Sequence, residues 1–152
     1  MIIRLVKDKD YDAIANLHKD TIQHINSIDY PEDVISVWVE RTSPSRYRNS
    51  AKKVKRWVAI EDKKIVGFCD HDFKCDIGGL YVHKDFQGKG AGKKLLETAE
   101  LSMKKLGCKK ITITATLTAK TFYENRGYKV IKKNLHQIED KKIDVFKMTK
   151  KI

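Results

Sequence analysis

Glycines alternate with other residues in the segment from Gln87 to Lys93, between a predicted strand and a predicted helix. Glycine lets a backbone approach a ligand closely and adopt positive φ. The first turn of a helix offers unpaired N–H groups and the positive end of the helix dipole. A phosphate binds well at such a place, and Lys89 and Lys93 add positive charge. The segment therefore predicts an anion site, with a purely structural tight turn as the alternative.

Two common nucleotide-binding motifs do not fit this segment. The phosphate-binding loop of nucleoside triphosphatases requires Ser or Thr after its lysine, whereas Lys93 is followed by Lys94. The dinucleotide fingerprint requires glycine at the position of Lys93 and an acidic residue about twenty residues later. Residues 107 to 113 contain no acidic residue. The phosphate-bearing ligand must therefore be of another kind.

The surrounding sequence supplies a better match. The segment from Leu80 to Phe86 precedes the glycine turn, in which Gln87, Gly90 and Gly92 match the pattern Gln/Arg-x-x-Gly-x-Gly/Ala. Farther along, Ala119, Phe122-Tyr123 and Gly127-Tyr128 form a second signature. Together the two segments resemble the GNAT superfamily of N-acetyltransferases, and the resemblance extends from residue 2 to residue 149.

The resemblance implies an enzyme that moves an acetyl group from acetyl-CoA, its co-substrate, to a primary amine by direct attack on the thioester, without a metal. Tyr123 would assist the departing thiolate, and the Val82 N–H would face the thioester carbonyl. An alternative is that Phe122 and Tyr123 are core aromatics. The implied cofactor-binding residues are Leu80, Tyr81, Val82, Gln87, Gly88, Lys89, Gly90, Ala91, Gly92, Lys93, Thr116, Ala119 and Phe122.

Two positions depart from the family pattern. Thr116 stands where asparagine is common, which leaves cofactor contact through a hydroxyl. Gly78 and Gly79 stand where many members carry an acidic residue or histidine that acts as general base. The base is left open among Asp70, His71, Asp72 and Asp76. The glycines favour the second hypothesis, a sensor that binds acetyl-CoA or CoA without turnover.

Composition narrows the choice of partners. The net charge of +12 suggests nucleic acid, but the lysines are dispersed in pairs along the chain, which disfavours a specific nucleic-acid surface. A positive surface also favours a neutral or acidic acceptor, either a small molecule or a protein amine. Aromatic residues that could line its pocket, or simply fill the core, are Tyr11, Tyr30, Trp38 and Tyr47. A homodimer is left open.

The three cysteines are Cys69, Cys75 and Cys108, an odd number without the two-residue spacing of zinc or redox motifs. We therefore expect reduced thiols and no disulfide, in a cytoplasmic protein. The first ten residues lack the apolar run of a secretory signal, and no segment has membrane-spanning length.

Periodicity predicts one domain, residues 1–152, of the mixed α/β class with a GNAT-like fold. The strand–helix–strand run from 77 to 114 predicts a parallel pair with a right-handed crossover, and a hairpin with a four-residue connection at 61–64 predicts antiparallel pairing before it. Helices are expected on both faces of the sheet. They are predicted at 10–26, from Pro31 to a break at Ser43-Pro44-Ser45, at 89–106 and at 117–126; strands at 2–6, 57–60, 65–69, 77–82, 111–114, 128–131 and 143–148.

Overall fold

The computed structural model describes residues 1–152 and contains every strand and long helix that periodicity predicts. Most boundaries move by three residues or fewer, as expected for periodicity alone, but the strand predicted at 128–131 extends to residue 138. The elements are β1 (Ile2–Leu5), α1 (Tyr11–His24), α2 (Glu32–Glu40), α3 (Pro44–Asn49), β2 (Lys55–Glu61), β3 (Lys64–His71), β4 (Asp76–Val82), α4 (Ala91–Lys105), β5 (Lys110–Thr116), α5 (Lys120–Glu124), β6 (Lys129–Ile138) and β7 (Lys141–Lys151).

All seven strands form one mixed sheet in the order β1-β2-β3-β4-β5-β7-β6. Only β4 and β5 are parallel, and α4 connects them, as predicted. Their pairing is confined to Asp76–Thr112 and Ile77–Ile113. Beyond Ile77 the two strands diverge, so a gap opens in the middle of the sheet. The backbone groups that β4 turns toward this gap have no partner strand.

Helices cover both faces of the sheet, as predicted. Because strand side chains alternate between faces, Trp57 and Ala59 join the core under α4, whereas Val58 packs with α1. One face of α4 carries buried apolar residues at helical spacing: Leu95, Leu96, Ala99 and Met103. α2 packs on β7 through a separate cluster that includes Trp38 and Val145. No helix of the protein has both the length and the apolar character needed to cross a bilayer.

One local prediction is incomplete and another is wrong, each for an identifiable reason. Ser43-Pro44-Ser45 does not merely end α2 but starts α3, because the Ser43 hydroxyl accepts a hydrogen bond from the Arg46 amide at 3.3 Å. Pro44 occupies the first turn, where its missing N–H costs nothing. The β2–β3 hairpin has a two-residue turn rather than four, with Asp62 and Lys63 at φ 49° and 65°. Two such residues match the twist of the hairpin.

The prediction that no disulfide forms is also wrong. Cys75 and Cys108 are bonded, with their Cα atoms 5.9 Å apart, and only Cys69 is free. Cys75 directly precedes β4, and Cys108 lies two residues before β5. Parallel neighbours begin at the same edge of a sheet, so the two cysteines meet there although 33 positions separate them in sequence. A search for short cysteine spacings cannot detect this pair.

Candidate active site

A cavity of ≈ 390 Å³ lies at the gap between β4 and β5, beside the glycine turn. Most of the predicted cofactor-binding residues line it, together with Tyr123: Leu80, Tyr81, Val82, Gln87, Gly88, Gly90, Gly92, Lys93, Thr116, Ala119 and Phe122. Two predicted residues do not. Ala91 is buried in the core, and the Lys89 ammonium lies 5.2 Å from the centre of the Phe86 ring.

Along β4, the backbone N–H and carbonyl groups of successive residues point alternately toward β3 and toward the gap. His83 donates its N–H to Val66 of β3 at 2.8 Å, and Val82 lies opposite Gly67. In an antiparallel ladder, bonded and non-bonded pairs alternate, so the Val82 N–H faces away from β3. The Val82 carbonyl on the same side accepts a hydrogen bond from the Gln87 side chain at 2.6 Å. Gln87 therefore fixes the glycine turn to the end of β4.

The three glycines of the turn have different roles. Gly88 and Gly90 have φ of 72° and 90°, a conformation that favours glycine, and no heavy atom lies within 4 Å of a Cβ built on either. That open space lies beside the N-terminus of α4. At Gly92, by contrast, a Cβ would lie 3.1 Å from the Phe122 ring, so this glycine permits close packing.

The amino end of α4 has the features of an anion-binding site. Gly90, its N-cap, offers no side chain to the helix, and the first turn contains no acidic residue. The Lys94 N–H makes the first intrahelical bond, to the Gly90 carbonyl, so the amides of 91–93 lack helical partners. Lys93 lines the cavity beside them.

Tyr123 is buried at the inner wall of the cavity, with 2% of its surface exposed. Its ring packs edge-on against Phe122 and Tyr128. Burial raises the pKa of its hydroxyl well above the ordinary value, and the nearby thiol of Cys69 raises it further. The hydroxyl therefore stays protonated at neutral pH and can only donate to a developing anion.

Buried polar side-chain atoms without a hydrogen-bond partner concentrate at this cavity. Four such atoms occur in the protein, and three of them belong to residues of the cavity wall: Asn26 Oδ1, Thr118 Oγ1 and Arg126 Nε. A buried polar group without a partner is costly, and a ligand with polar groups offsets that cost. This arrangement fits a cofactor rich in amide and phosphate groups. Sequence reasoning missed all three residues, although Arg126 lies within the second signature.

A second cavity, of ≈ 510 Å³, meets the first along the gap. Residues common to both walls are Gly78, Gly79, Tyr81, Thr114 and Thr116. Of the aromatics predicted for an acceptor pocket, Trp38 and Tyr47 line this cavity. Tyr11 is a core residue, and the Tyr30 hydroxyl is engaged by the Leu117 amide and the Asp144 carbonyl.

The carboxylate of Asp70 occupies the space that a side chain at position 78 would take. A Cβ built on Gly78 would lie 2.5 Å from Asp70 Oδ1, so only glycine fits while this carboxylate is in place. Arg56 donates to the other oxygen, Oδ2, at 2.8 Å. Burial raises the pKa of Asp70 above its ordinary value, although the charge and hydrogen bond of Arg56 act to lower it. Asp70 thus places an acidic group on the wall of the second cavity, beside the position where many family members carry one and this chain has Gly78.

The other candidate bases have structural roles. His71 is fully buried, between the Asp72 carbonyl at 2.6 Å and the Ser102 hydroxyl at 3.0 Å. Asp72 accepts the amides of Lys74 and Asp76, and the Asp76 carboxylate accepts the Thr112 hydroxyl. None of the three lines either cavity.

His18 lines the second cavity and is not among the site residues predicted from the sequence. Its ring lies 4.0 Å from the Tyr81 ring and makes a hydrogen bond with the Tyr47 hydroxyl. Burial lowers the pKa of His18 to about 3, and the charges of Arg46 and Arg56 act in the same direction. A neutral His18 therefore packs against the cavity wall at physiological pH.

Comparison with known proteins places the chain among acetyltransferases. The uncharacterized N-acetyltransferase YafP of Escherichia coli is 27% identical over 130 residues, covering 86% of this chain and 82% of that protein. A GCN5-related N-acetyltransferase from Rhodopseudomonas palustris has a TM-score of 0.95 at 23% identity, covering 99% of this chain and 95% of the other.

Two further solved structures contain the cofactor. The PaiA N-acetyltransferase of Thermoplasma acidophilum, in complex with coenzyme A, has a TM-score of 0.81 at 24% identity and full coverage of both chains. The acetyltransferase yncA of Salmonella typhimurium, with acetyl-CoA, has a TM-score of 0.74 at 19% identity, covering 99% of this chain and 93% of that one. At these identities the likeness shows a common fold. Because the model of the acetyltransferase (GNAT) domain matches residues 26–152, this chain belongs to the GNAT family of acetyltransferases.

Proposed function

We propose that the protein, acting as one domain of residues 1–152, transfers the acetyl group of acetyl-CoA to the primary amine of an acceptor by direct attack. The observation that carries this proposal is the junction of the two cavities along the gap between β4 and β5. A thioester entering from the side of the glycine turn and an amine entering from the other side reach one point there. Tyr123 lies on the wall of the first cavity.

The cofactor is assigned to the first cavity. The pyrophosphate binds the amides of residues 88–93 at the amino end of α4, where charge and free N–H groups favour an anion. The pantetheine arm follows the open edge of β4, and the Val82 N–H donates to the thioester carbonyl as negative charge develops on its oxygen. A preorganised donor of this kind contributes up to a few kcal/mol to the rate. The relatives solved with CoA and acetyl-CoA support this assignment.

Asp70 is assigned as the proton acceptor. An alkylammonium with a lysine-like pKa is neutral at pH 7 in only about 1 part in 2,500, which costs about 4.6 kcal/mol. The Asp70 Oδ1 oxygen, which Arg56 leaves free, takes the proton as the amine nitrogen attacks the carbonyl carbon. The raised pKa of Asp70 favours this step, because a carboxylate with a higher pKa is a stronger base.

Tyr123 is assigned to the leaving group. When the tetrahedral intermediate collapses, the C–S bond breaks and the electron pair moves to sulfur. Transfer of a phenol proton with pKa about 10 to a thiolate of about 8.5 is uphill by about 2 kcal/mol, and burial of Tyr123 makes it more so. The hydroxyl therefore stabilises the departing thiolate by a hydrogen bond, and the thiolate takes its proton later from solvent.

The test separates binding from turnover. At 100 times Kd, acetyl-CoA should stabilise the fold by about 2.7 kcal/mol, measured by thermal shift, while ATP and NAD give no comparable response. CoA release is then followed over a panel of primary amines, with mass spectrometry to identify the acetylated product. A response to ATP or NAD but not to acetyl-CoA would refute the cofactor assignment. Binding of acetyl-CoA with no acetylated amine would instead identify a sensor.

A further inference from the structure

We infer that the acceptor is a small amine that also carries an acidic group, with its amine at Asp70 and its carboxylate or phosphate at Arg46 and Arg41. This inference rests on the proposed function, because it assigns the second cavity to the acceptor. The volume of ≈ 510 Å³ is that of a small-molecule site rather than of an extended groove for a protein.

The balance of charge in the second cavity supports an anionic ligand. Three arginines line it, Arg41, Arg46 and Arg56, against the single carboxylate of Asp70. Asp70 already pairs with Arg56, whose guanidinium also donates to the Tyr47 carbonyl and the Ser50 hydroxyl. Arg56 is therefore satisfied within the protein, and the positive charges of Arg41 and Arg46 are in excess.

Arg46 is the clearest of these unmatched charges. Its backbone N–H binds Ser43, but its guanidinium makes no hydrogen bond or ion pair with any protein group, whereas Arg48 on the same helix pairs with Asp8. Arg41 is only weakly compensated, since its Nε lies 3.8 Å from Glu139, too far for a hydrogen bond. Two guanidiniums at one cavity provide the forked donors that bind carboxylate and phosphate.

His136 lines the same cavity as Arg41 and Arg46. Burial lowers the pKa of His136, and the charges of Arg41 and then Arg46 lower it further. A field that resists the protonation of an imidazole also repels a second ammonium group on the acceptor. The cavity thus disfavours polyamines and favours an amine whose far end is negative. Asp70, at the junction with the first cavity, supplies the one acidic group suited to the ammonium end.

The experiment compares acceptors that differ only in the acid. L-methionine is paired with L-methioninamide, L-phenylalanine with L-phenylalaninamide, and O-phosphoethanolamine with ethanolamine. Acetyl transfer is measured at saturating acetyl-CoA, with rates corrected for the fraction of ammonium, which is the form that the proposed mechanism uses. We expect the acidic member of at least one pair to have a kcat/KM about 10- to 100-fold above its partner, as for loss of a charged hydrogen bond. The first two pairs report on a carboxylate, the third on a phosphate.

The variants locate the effect. Arg46→Gln should remove most of that preference by lowering kcat/KM for the acidic partner, while acetyl-CoA affinity stays unchanged, and Arg41→Gln should weaken the preference less. Arg48→Gln, on the same helix but outside the cavity, is the matched control and should behave as the parent protein does. A preference that survives in both Arg46→Gln and Arg41→Gln would overturn the assignment.

Failure of the inference differs from failure of the proposed function. Turnover that is equal for acidic and neutral partners leaves an acetyltransferase but refutes an acid-binding cavity. Absence of turnover with every amine contradicts the proposed function instead. In that case calorimetry of the same pairs on the CoA complex still decides the inference: tighter binding of the acidic members, lost in Arg46→Gln, supports it, and equal binding refutes it.

Discussion

The two cavities that meet in the middle of the sheet are built in opposite ways. The wall of the first cavity, which we assign to the cofactor, comes largely from two stretches of the chain, residues 78–93 and 113–126, and includes five glycines. The wall of the second cavity, which we assign to the acceptor, includes charged and aromatic side chains from separate elements: α1 to α3, β2, β3 and β6. Among them are His18, Arg46, Arg56, Asp70 and His136. Only five residues at the gap are common to both.

This difference has a chemical meaning. A backbone that binds a phosphate can change little without changing the fold, so it suits a ligand that all members of a family share. Side chains on separate elements can change one at a time, so they suit an acceptor that differs between members. Substitutions should therefore affect one cavity and leave the other intact, and the predictions below, in order of their expected effect on activity, test that separation.

The largest loss of activity is expected from a substitution in the glycine turn. Gly90→Val places a β-branched side chain at a φ of 90° and fills the open space beside the amino end of α4. We expect acetyl-CoA affinity to fall by more than about 100-fold, measured by calorimetry, if at least two charged hydrogen bonds are lost. Acceptor binding to the free enzyme should persist.

Gly107→Val is the matched control for this substitution. Gly107 has nearly the same φ, 92°, at the other end of the same helix, with equally open space around it and no part in either cavity. Gly107→Val introduces the same backbone strain at a position that contacts no ligand. Equal loss of affinity in both variants would mean that strain, not the phosphate site, explains the result.

The contrast between the cavities also explains what sequence could reveal. The glycine turn and the second signature are local, and φ requirements or close packing dictate residue types within a few positions. Eleven of the thirteen predicted cofactor residues accordingly line the first cavity; the exceptions are Lys89 and Ala91. Ala91 lies between two glycines of the turn, yet the helix that begins there directs its side chain into the core.

For the second cavity no local pattern gave such a signal, and Asp70, Trp38 and Tyr47 were candidates only among several residues of their type. His18, Arg46 and Asp70 lie in different elements and meet only because the sheet and α1–α3 place them together. Even the clue at Gly78 was misleading: we interpreted the glycine as a missing base, whereas it makes room for the carboxylate of the neighbouring strand. Register between strands, which sets this contact, is a property of the folded sheet rather than of any local pattern.

The second prediction concerns Asp70. Asp70→Asn keeps the size of the side chain but cannot accept a proton, so turnover should fall by about 10²- to 10³-fold, as for a general base, with little change in acetyl-CoA affinity. Because Asn leaves Arg56 without a counter-charge, Gly78→Ala provides a second variant. Its Cβ would displace Asp70 Oδ1, 2.5 Å away, while the charge is retained. Turnover that survives in both variants would remove Asp70 from the mechanism.

The pH profile sharpens the same assignment. The parent enzyme uses an ammonium and a carboxylate, so kcat/KM should fall as pH decreases through the raised pKa of Asp70, where the carboxylate becomes protonated. Asp70→Asn can use only amine that is already neutral, so its activity should rise with pH up to the pKa of the amine. Asp76→Asn removes another carboxylate whose pKa burial raises, one outside both cavities, and should keep the profile of the parent.

The third prediction separates a catalytic from a packing role for Tyr123. Tyr123→Phe deletes only the hydroxyl, so kcat should fall by about 10²-fold while acetyl-CoA affinity barely changes. Tyr128→Phe is the control, because the Tyr128 ring packs on Tyr123 but its hydroxyl binds Glu100 at 3.1 Å, away from the cavities. Steady-state kinetics of both variants decides. A normal rate in Tyr123→Phe would make this residue a core aromatic, and a large loss of affinity would make it a binding residue.

The smallest effect on activity is expected from the disulfide, which lies at the opposite end of the β4–β5 pair from the gap. Cys75–Cys108 joins the strands where they are hydrogen-bonded, near Asp76 and Thr112, and lines neither cavity. Cross-linking positions 33 residues apart should stabilise the fold by about 3–4 kcal/mol, since it removes loop entropy from the unfolded chain. Cys75→Ser should therefore lower the free energy of unfolding by that amount, measured by urea denaturation without reductant, and leave kcat and the affinities for both ligands unchanged.

Reduction of the parent protein should reproduce this loss of stability. Cys69→Ser, which keeps the disulfide, should not. If Cys75→Ser instead reduced turnover while the protein stayed folded, the closed end of the strand pair would govern the width of the gap, and the two cavities would not be independent of the scaffold that separates them.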